Sequence, residues 1–253
     1  FTAHSILQFA SSGVGLPTSL SARPWGPGAA ATPATAQNAG RAMWVTFLVG
    51  ENGSGKSTLI EAIAVAAGFN AEGGSKNFRF ATRRSESELH TALRLARGTR
   101  REKDGFFLRA ESYFNVATHI EELDRGPGGP PIIGAFGGIS LHEQSHGESF
   151  LALAANRLRG NGLYVFDEPE AALSPSRQLS LLKIIDTLAR TKQSQFIIAT
   201  HSPILMAYPE ATIYSLDAGG ISTIEYEQTE HYQITKNFLL DRGRYFKHLF
   251  GDD

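Results

Sequence analysis

The chain contains no cysteine. That excludes disulfides, thiolate metal sites and cysteine nucleophiles, and it suits a reducing compartment. It has no apolar run near the roughly 18 residues that cross a bilayer, so a membrane role would have to come through a partner, without direct insertion. Its formal net charge is −1, which removes any global drive towards nucleic acid or anionic lipid. The first 42 residues hold no acidic side chain, and Arg23 and Arg41 are their only charges. Ala, Ser, Pro, Gly and Thr dominate there. Such a stretch reads as a disordered tail, a leader or a mis-assigned start, with a short strand around residues 6–9. The other reading is an organelle transit peptide, which shares the Ser-rich, acid-poor composition. The expected location is therefore cytoplasmic, or an organelle stroma or matrix if the leader is a transit peptide. The rest is ordinary: 253 residues with 42% apolar content can build a sizeable core in one large or two small domains.

What the chain does have is Gly50-Glu51-Asn52-Gly53-Ser54-Gly55-Lys56-Ser57-Thr58. This is the G-x-x-x-x-G-K-[ST] pattern of a phosphate loop. Its glycines let successive backbone N–H groups aim at one anion, and a helix N-terminus behind them adds a favourable dipole. Lys56 is placed to reach β- and γ-phosphates, and the Ser57 hydroxyl to ligate Mg²⁺. The flanks agree with that reading. Residues 43–49 are apolar, β-branched and aromatic, as in a strand. Ser57 to Ala67 carries Leu59, Ile60, Ile63 and Ala67 on one helical stripe, with Gly68 to end it. A Gly-rich surface loop containing Gly-Lys-Ser by chance would not have these neighbours.

Beyond the loop the pattern alternates between helix and strand. Ser85 to Glu88 forms a capping box before Leu89, Ala92, Leu93 and Ala96, with Gly98 closing the helix. Residues 106–108 read as a short strand, 113–123 as a helix, 126–131 as a flexible loop and 148–158 as a helix. Residues 163–166 and 196–199 are wholly apolar, which suits parallel strands covered on both faces. Between them, Ser176 to Arg190 predicts a helix burying Leu179, Leu182, Ile185 and Leu188. Residues 212–216 and 222–226 predict a hairpin across residues 217–220, followed by two short helices.

The strand at 163–166 runs into Asp167-Glu168-Pro169-Glu170. Adjacent carboxylates at the end of a buried strand desolvate badly and repel each other, and a divalent metal relieves both problems. Asp167 is the expected Mg²⁺ ligand opposite Ser57, and Glu168 the general base on the attacking water. The bland alternative is an acidic helix start, since Asp-Glu-Pro also suits a helix N-terminus. His201, just past the 196–199 strand, would face the same crevice and could hydrogen-bond the γ-phosphate or that water. Ser145-His146-Gly147-Glu148 precedes a helix. It fits a second phosphate cradle and a plain capping box equally well.

In this order the motifs resemble the ABC-type ATPases, especially the head domains of the SMC, RecF and double-strand-break-repair families. The likeness spans about residues 44–217. It implies an α/β fold: a P-loop NTPase with a mostly parallel central sheet flanked by helices. A helical subdomain, about residues 73–158, would be inserted between the Walker A loop and the signature motif. The domains would then be a leader at 1–42 and the ATPase at 43–253. The resemblance makes Gly50 to Thr58 the Walker A loop and Val165 to Glu168 the Walker B strand. Lys56, Glu168 and His201 would be catalytic, and Ser57 and Asp167 would hold the metal. Ser145, Gly147 and Glu148 would be the signature, and residues 171–174 the D-loop.

The same resemblance implies ATP and Mg²⁺ as cofactors and a head-to-tail homodimer in which Ser145 and Gly147 of one subunit face the other's phosphate loop. Departures from the family pattern stand out. His146 replaces a usual Gly. No glutamine stands at the Q-loop place, near Arg109 to Ser112, where Glu111 is a speculative substitute. The stretch where a front sheet would supply an adenine-stacking aromatic is the low-complexity leader. Only about 86 residues separate Thr58 from Ser145, too few for a long coiled-coil arm. Residues 76–109 hold ten Lys/Arg against four Asp/Glu. They read either as a platform for nucleic-acid phosphates or as a solvated subdomain whose arginines pair locally. The expected function is ATP hydrolysis acting on an undetermined macromolecular partner, with nucleic acid as one candidate. The alternatives are the nucleotide-binding subunit of a membrane transporter and a non-hydrolysing nucleotide-sensing module.

Overall fold

The structure, a computed structural model, describes residues 44–76, 88–95, 102–111, 113, 117–118, 134, 145–191 and 193–251. The strands are β1 (Val45–Val49), β2 (Asp104–Arg109), β3 (Gly162–Asp167), β4 (Gln195–Ala199), β5 (Thr212–Asp217) and β6 (Gly220–Ile224). The helices are α1 (Lys56–Ala66), α2 (Leu89–Ala92), α3 (His146–Arg157), α4 (Pro175–Asp186), α5 (Pro203–Met206), α6 (Glu230–Leu240) and α7 (Arg242–Phe250).

The strands form one six-stranded sheet in the order β2-β3-β4-β1-β5-β6. The first five are parallel, and β6 returns antiparallel as the expected hairpin, with Asp217 opposite Gly220. The Asp217 carboxylate accepts the Gly219 N–H at 2.7 Å, which closes that turn. At the other edge Gly74 exchanges backbone hydrogen bonds with Phe107 at 2.8 and 2.9 Å and so covers β2.

Alternation along the strands sends side chains to two cores. Phe47, Phe106, Tyr164, Phe166, Phe196 and Ile198 pack with Phe150 and Leu153 of α3 and Leu181 and Ile185 of α4. On the opposite face Leu48, Phe107, Val165 and Ile197 meet Leu59, Ile60 and Ile63 of α1. The wholly apolar strands are thus buried on both sides, as their sequence requires. Because β1, β3 and β4 are parallel, their C-terminal ends open on one edge, where the loops to α1, α4 and α5 gather.

Three expectations change. The stripe of α4 is Gln178, Leu181 and Ile185, whereas Leu179 is 59% exposed. At about 100° per residue, stepping by three drifts round the helix, so positions 179 and 188 fall on opposite faces. Helix α2 ends at Ala92, where Leu93 turns extended, so it does not run on to Ala96. Within residues 73–158, Asp104–Arg109 belongs to the main sheet, so that stretch is not helical throughout. The leader, the capping residues 85–87, the strand at 6–9, most of the 113–123 helix and the 126–131 loop lie outside the described residues. Among the described residues no helix is long and apolar enough to cross a membrane.

The two-sided core predicts a contrast within the apolar set. Ile198→Ala, fully buried in β4, should cost about 2–5 kcal/mol in denaturant unfolding. Leu179→Ala should stay within about 0.5 kcal/mol. Equal losses would contradict the burial pattern.

Candidate functional site

The phosphate loop joins β1 to α1. Gly50, Gly53 and Gly55 take φ of 150°, 81° and 92°. Gly50 also needs its missing side chain, since a Cβ there would lie 2.4 Å from the Leu216 carbonyl oxygen of β5. Glu51, Asn52 and Gly53 are exposed at the crown, while Ser54 and Gly55 are half-buried. Lys56, Ser57 and Thr58 open α1, where helix geometry leaves backbone N–H groups without intrahelical acceptors. Lys56 is 4% exposed and folds back over the loop, donating to the carbonyls of Gly50 at 2.8 Å and Glu51 at 2.9 Å. Burial lowers its pKa, while Glu168, Asp167 and Glu170 act in the opposite sense.

Asp167 ends β3. The Ser57 hydroxyl is its hydrogen-bonding neighbour, and Arg109 Nε stands 3.4 Å from its Oδ2. Its pKa is raised to about 6 by burial first; Arg109 and Ser57 pull it down, and Glu168 and Glu111 push it up. Oδ1 is buried with no hydrogen-bond partner. Glu168 sits at φ 49°, ψ 52°, the left-handed region that a non-glycine residue enters at a cost. Its N–H donates to the Ala199 carbonyl at 2.9 Å, which ties the β3 tip to the end of β4.

His201 follows β4. Its Nε2 lies 3.6 Å from Glu168 Oε1, and its Nδ1 is 2.8 Å from His231 Nε2. Its backbone N–H donates to Glu170 Oε1 at 2.5 Å. The turn is braced from α4. Gln178 donates to the Leu173 carbonyl and accepts from the Ser202 hydroxyl at 2.5 Å, and Ser202 caps α5. Burial lowers the His201 pKa, Lys56 adds to that, and Glu168 opposes it. Lys56, Ser57, Asp167, Glu168 and His201 thus converge at one edge of the sheet.

Ser145, Gly147 and Glu148 make their contacts with one another and with Ala172 and Arg177. The Glu148 carboxylate accepts from both the Ser145 N–H at 3.2 Å and its hydroxyl at 2.6 Å, within a capping box that starts α3. Arg177 of α4 reaches both, with 3.2 Å to Ser145 Oγ and 2.9 Å to Glu148 Oε1. A Cβ on Gly147 would be 2.6 Å from Arg177 Nη1 and 2.9 Å from the Ala172 carbonyl oxygen, so the segment packs on residues 171–177. The His146 side chain lies outside the described residues.

Four participants were not anticipated. Glu170 is a half-buried acid, its pKa raised by burial and held down by the His201 N–H and the Thr200 hydroxyl. Its sequence signal was only a third acid after the strand. His231 and Arg177 come from distant helices and carry no local signature. Arg109 ends β2 at the expected Q-loop place. Its guanidinium spans Glu61 of α1 at 2.7 Å and Asp167. Lys76 pairs with Glu102 at 2.7 Å, so at these two positions the basic stretch is paired locally.

A family model described as "AAA domain, putative AbiEii toxin, Type IV TA system" matches residues 45–138 and 134–207. The chain belongs to this family, and its fold is a mixed α/β one with a six-stranded, mostly parallel sheet flanked by helices. Among solved structures it is similar to cbiO1 of Clostridium perfringens, part of the ABC transporter complex cbiONQ. The identity is 18% over 81% of this chain and 87% of that one, with a TM-score of 0.46. It is also similar to the SMC head domain of Thermotoga maritima, at 17% identity over 71% and 89% of the two chains and a TM-score of 0.36. Comparison with curated protein sequences finds no match.

The raised pKa of Asp167 gives a signed prediction. Its folded pKa, about 6, exceeds the ordinary 3.8. The stability linked to its protonated form is complete below pH ~4 and is lost as pH rises through ~6. Asp167→Asn should therefore stabilise the nucleotide-free protein at pH 8 by up to about 3 kcal/mol, with the gain vanishing by pH ~4. Thermal unfolding across that range checks it; a destabilised variant at pH 8 would contradict it.

Proposed function

We propose that the chain binds ATP with Mg²⁺ at the C-terminal ends of β1, β3 and β4 and hydrolyses it between two head-to-tail copies. The observation that carries this reading is the glycine-rich loop with Lys56 folded over its Gly50 and Glu51 carbonyls, Ser57 hydrogen-bonded to Asp167 at the β3 tip, and His201 3.6 Å from Glu168. A buried ammonium and a buried carboxylate at one sheet edge are costly to assemble, and they suit a loop that must receive a polyanion and a cation together.

The residues present fit the metal. Ser57 and Asp167 offer hard oxygen donors, and Asp167 Oδ1 is buried without a partner, with Arg109 occupied at Oδ2. Among the described residues no group of three or more His, Asp or Glu could hold a metal alone, so phosphate oxygens would complete this site. Held there by Ser57 and Asp167, Mg²⁺ would supply positive charge against the charge developing on the phosphates.

The chain's own groups do the rest. The backbone N–H groups of residues 50–58 cradle the phosphates. Lys56 exchanges the Gly50 and Glu51 carbonyls for β- and γ-phosphate oxygens. Glu168, held in its left-handed conformation, takes the proton of the attacking water as general base. His201 donates to the γ-phosphate or orients that water. Ser145, Gly147 and Glu148 are held by Ala172 and Arg177. The family resemblance implies their use in trans, across a dimer, with the domain at 43–253 as the hydrolytic unit. Within 76–109, the ion pairs of Lys76 and Arg109 favour local pairing over a nucleic-acid platform at those positions.

Lys56→Ala should lower nucleotide affinity at least 100-fold, by about 3 kcal/mol. Undiminished binding in calorimetry would remove the phosphate loop from the account. Glu168→Gln should bind ATP, abolish phosphate release and accumulate as a dimer in light scattering; a monomeric trapped form would refute the trans arrangement. Wild-type turnover per subunit should rise with protein concentration, and a constant value from nanomolar to micromolar would count against dimerisation.

A further inference from the structure

The contact between His201 and His231 is not required by any role assigned above. His201 Nδ1 and His231 Nε2 are 2.8 Å apart, with ring centroids at 5.0 Å and planes inclined by 58°. One of the two nitrogens must carry the proton and the other must accept it. The opposite face of His201 settles which. Its Nε2 is buried, makes no hydrogen bond, and lies 3.6 Å from Glu168 Oε1. A bare Nε2 lone pair aimed at a carboxylate oxygen would be repelled, whereas an N–H there is attracted. His201 is therefore protonated on Nε2, leaves Nδ1 as acceptor, and takes its hydrogen bond from His231 Nε2–H.

From this geometry we infer that His231 is a positioning residue. It fixes the tautomer and ring plane of His201 so that the Nε2–H, a donor, faces Glu168 and the place of the γ-phosphate. This rests on the nucleotide reading of the site.

The helix that carries His231 is anchored for the task. Thr229 is almost fully buried and caps α6 through the Tyr232 N–H at 3.4 Å. The Tyr226 hydroxyl donates to the Pro203 carbonyl at 2.9 Å, two residues past His201, and the Tyr226 and Tyr232 rings lie 4.6 Å apart. No residue of α6 or α7 is buried. The start of α6 is thus pinned to the β4–α5 turn by polar and aromatic contacts around His231, without an apolar core of its own. Both imidazoles are also biased towards neutrality, by burial and by Lys56. Neutral rings are what a tautomer-fixing bond needs.

The test separates position from mere packing. Nitrogen-15 NMR on the full chain should show His201 as the Nε2–H tautomer. In His231→Ala the two tautomers should mix. His231→Gln places an amide N–H where Nε2–H stands, so it should restore both the tautomer and turnover. His231→Ala should lower kcat on the order of 10–100-fold with KM for ATP and thermal stability unchanged. A wild-type His201 protonated on Nδ1 would overturn the proposal. So would Ala and Gln variants with the same kcat, or a loss that follows stability alone. The NMR arm needs no turnover: if the tautomer is as described but ATP is not hydrolysed, the nucleotide reading fails while the positioning stands.

Discussion

The burial of one ammonium organises this site. Lys56 is nearly out of solvent, and an isolated charge there would cost several kcal/mol. Its Nζ donates to the Gly50 and Glu51 carbonyls, and Glu168, Asp167 and Glu170 favour its charge without outweighing burial. Those acids are costly in turn: burial raises the pKa of Asp167 and of Glu170. The sheet order places β4 between β1 and β3, so the phosphate loop and the acids meet only because all three strands run the same way.

Around that centre the fold stores strain and then restrains it. Glu168 takes a left-handed backbone, and its N–H is fastened to Ala199. His201 is held by Glu170 through its backbone and by Gln178 through Ser202. Arg109 joins the helix of the phosphate loop to the β3 tip. These braces come from different elements. Ser145 and Gly147 are braced on Arg177 and Ala172.

The parts of the site that could be read from sequence were those with local grammar. A glycine-rich turn between a strand and a helix, and paired acids ending an apolar strand, impose their chemistry within ten residues or so. The two-sided burial of the sheet was legible for the same reason, as uninterrupted apolar runs. What escaped depends on partners far apart in the chain. Glu170 had no role in the sequence pattern; Thr200 and the His201 N–H, from the end of β4, give it one. His231 has no pattern at all; only the packing of α6 against the β4–α5 turn gives it a neighbour. Leu179 misled because a three-residue step imitates a helical stripe over one or two turns and then leaves it. Arg109 fell where a glutamine was sought, and its ion pairs depend on the β2–β3 register.

The most direct measurement is a crystal structure of the chain with Mg²⁺ and a non-hydrolysable ATP analogue. The account predicts the γ-phosphate between Lys56 Nζ and His201 Nε2, with the metal against Ser57 Oγ and the Asp167 carboxylate. Glu168 would stand behind the phosphorus, and a second copy's Ser145 would close the far side. A triphosphate bound on another edge of the sheet, or lodged at residues 50–58 with Asp167 and Glu168 turned away from it, would contradict the account.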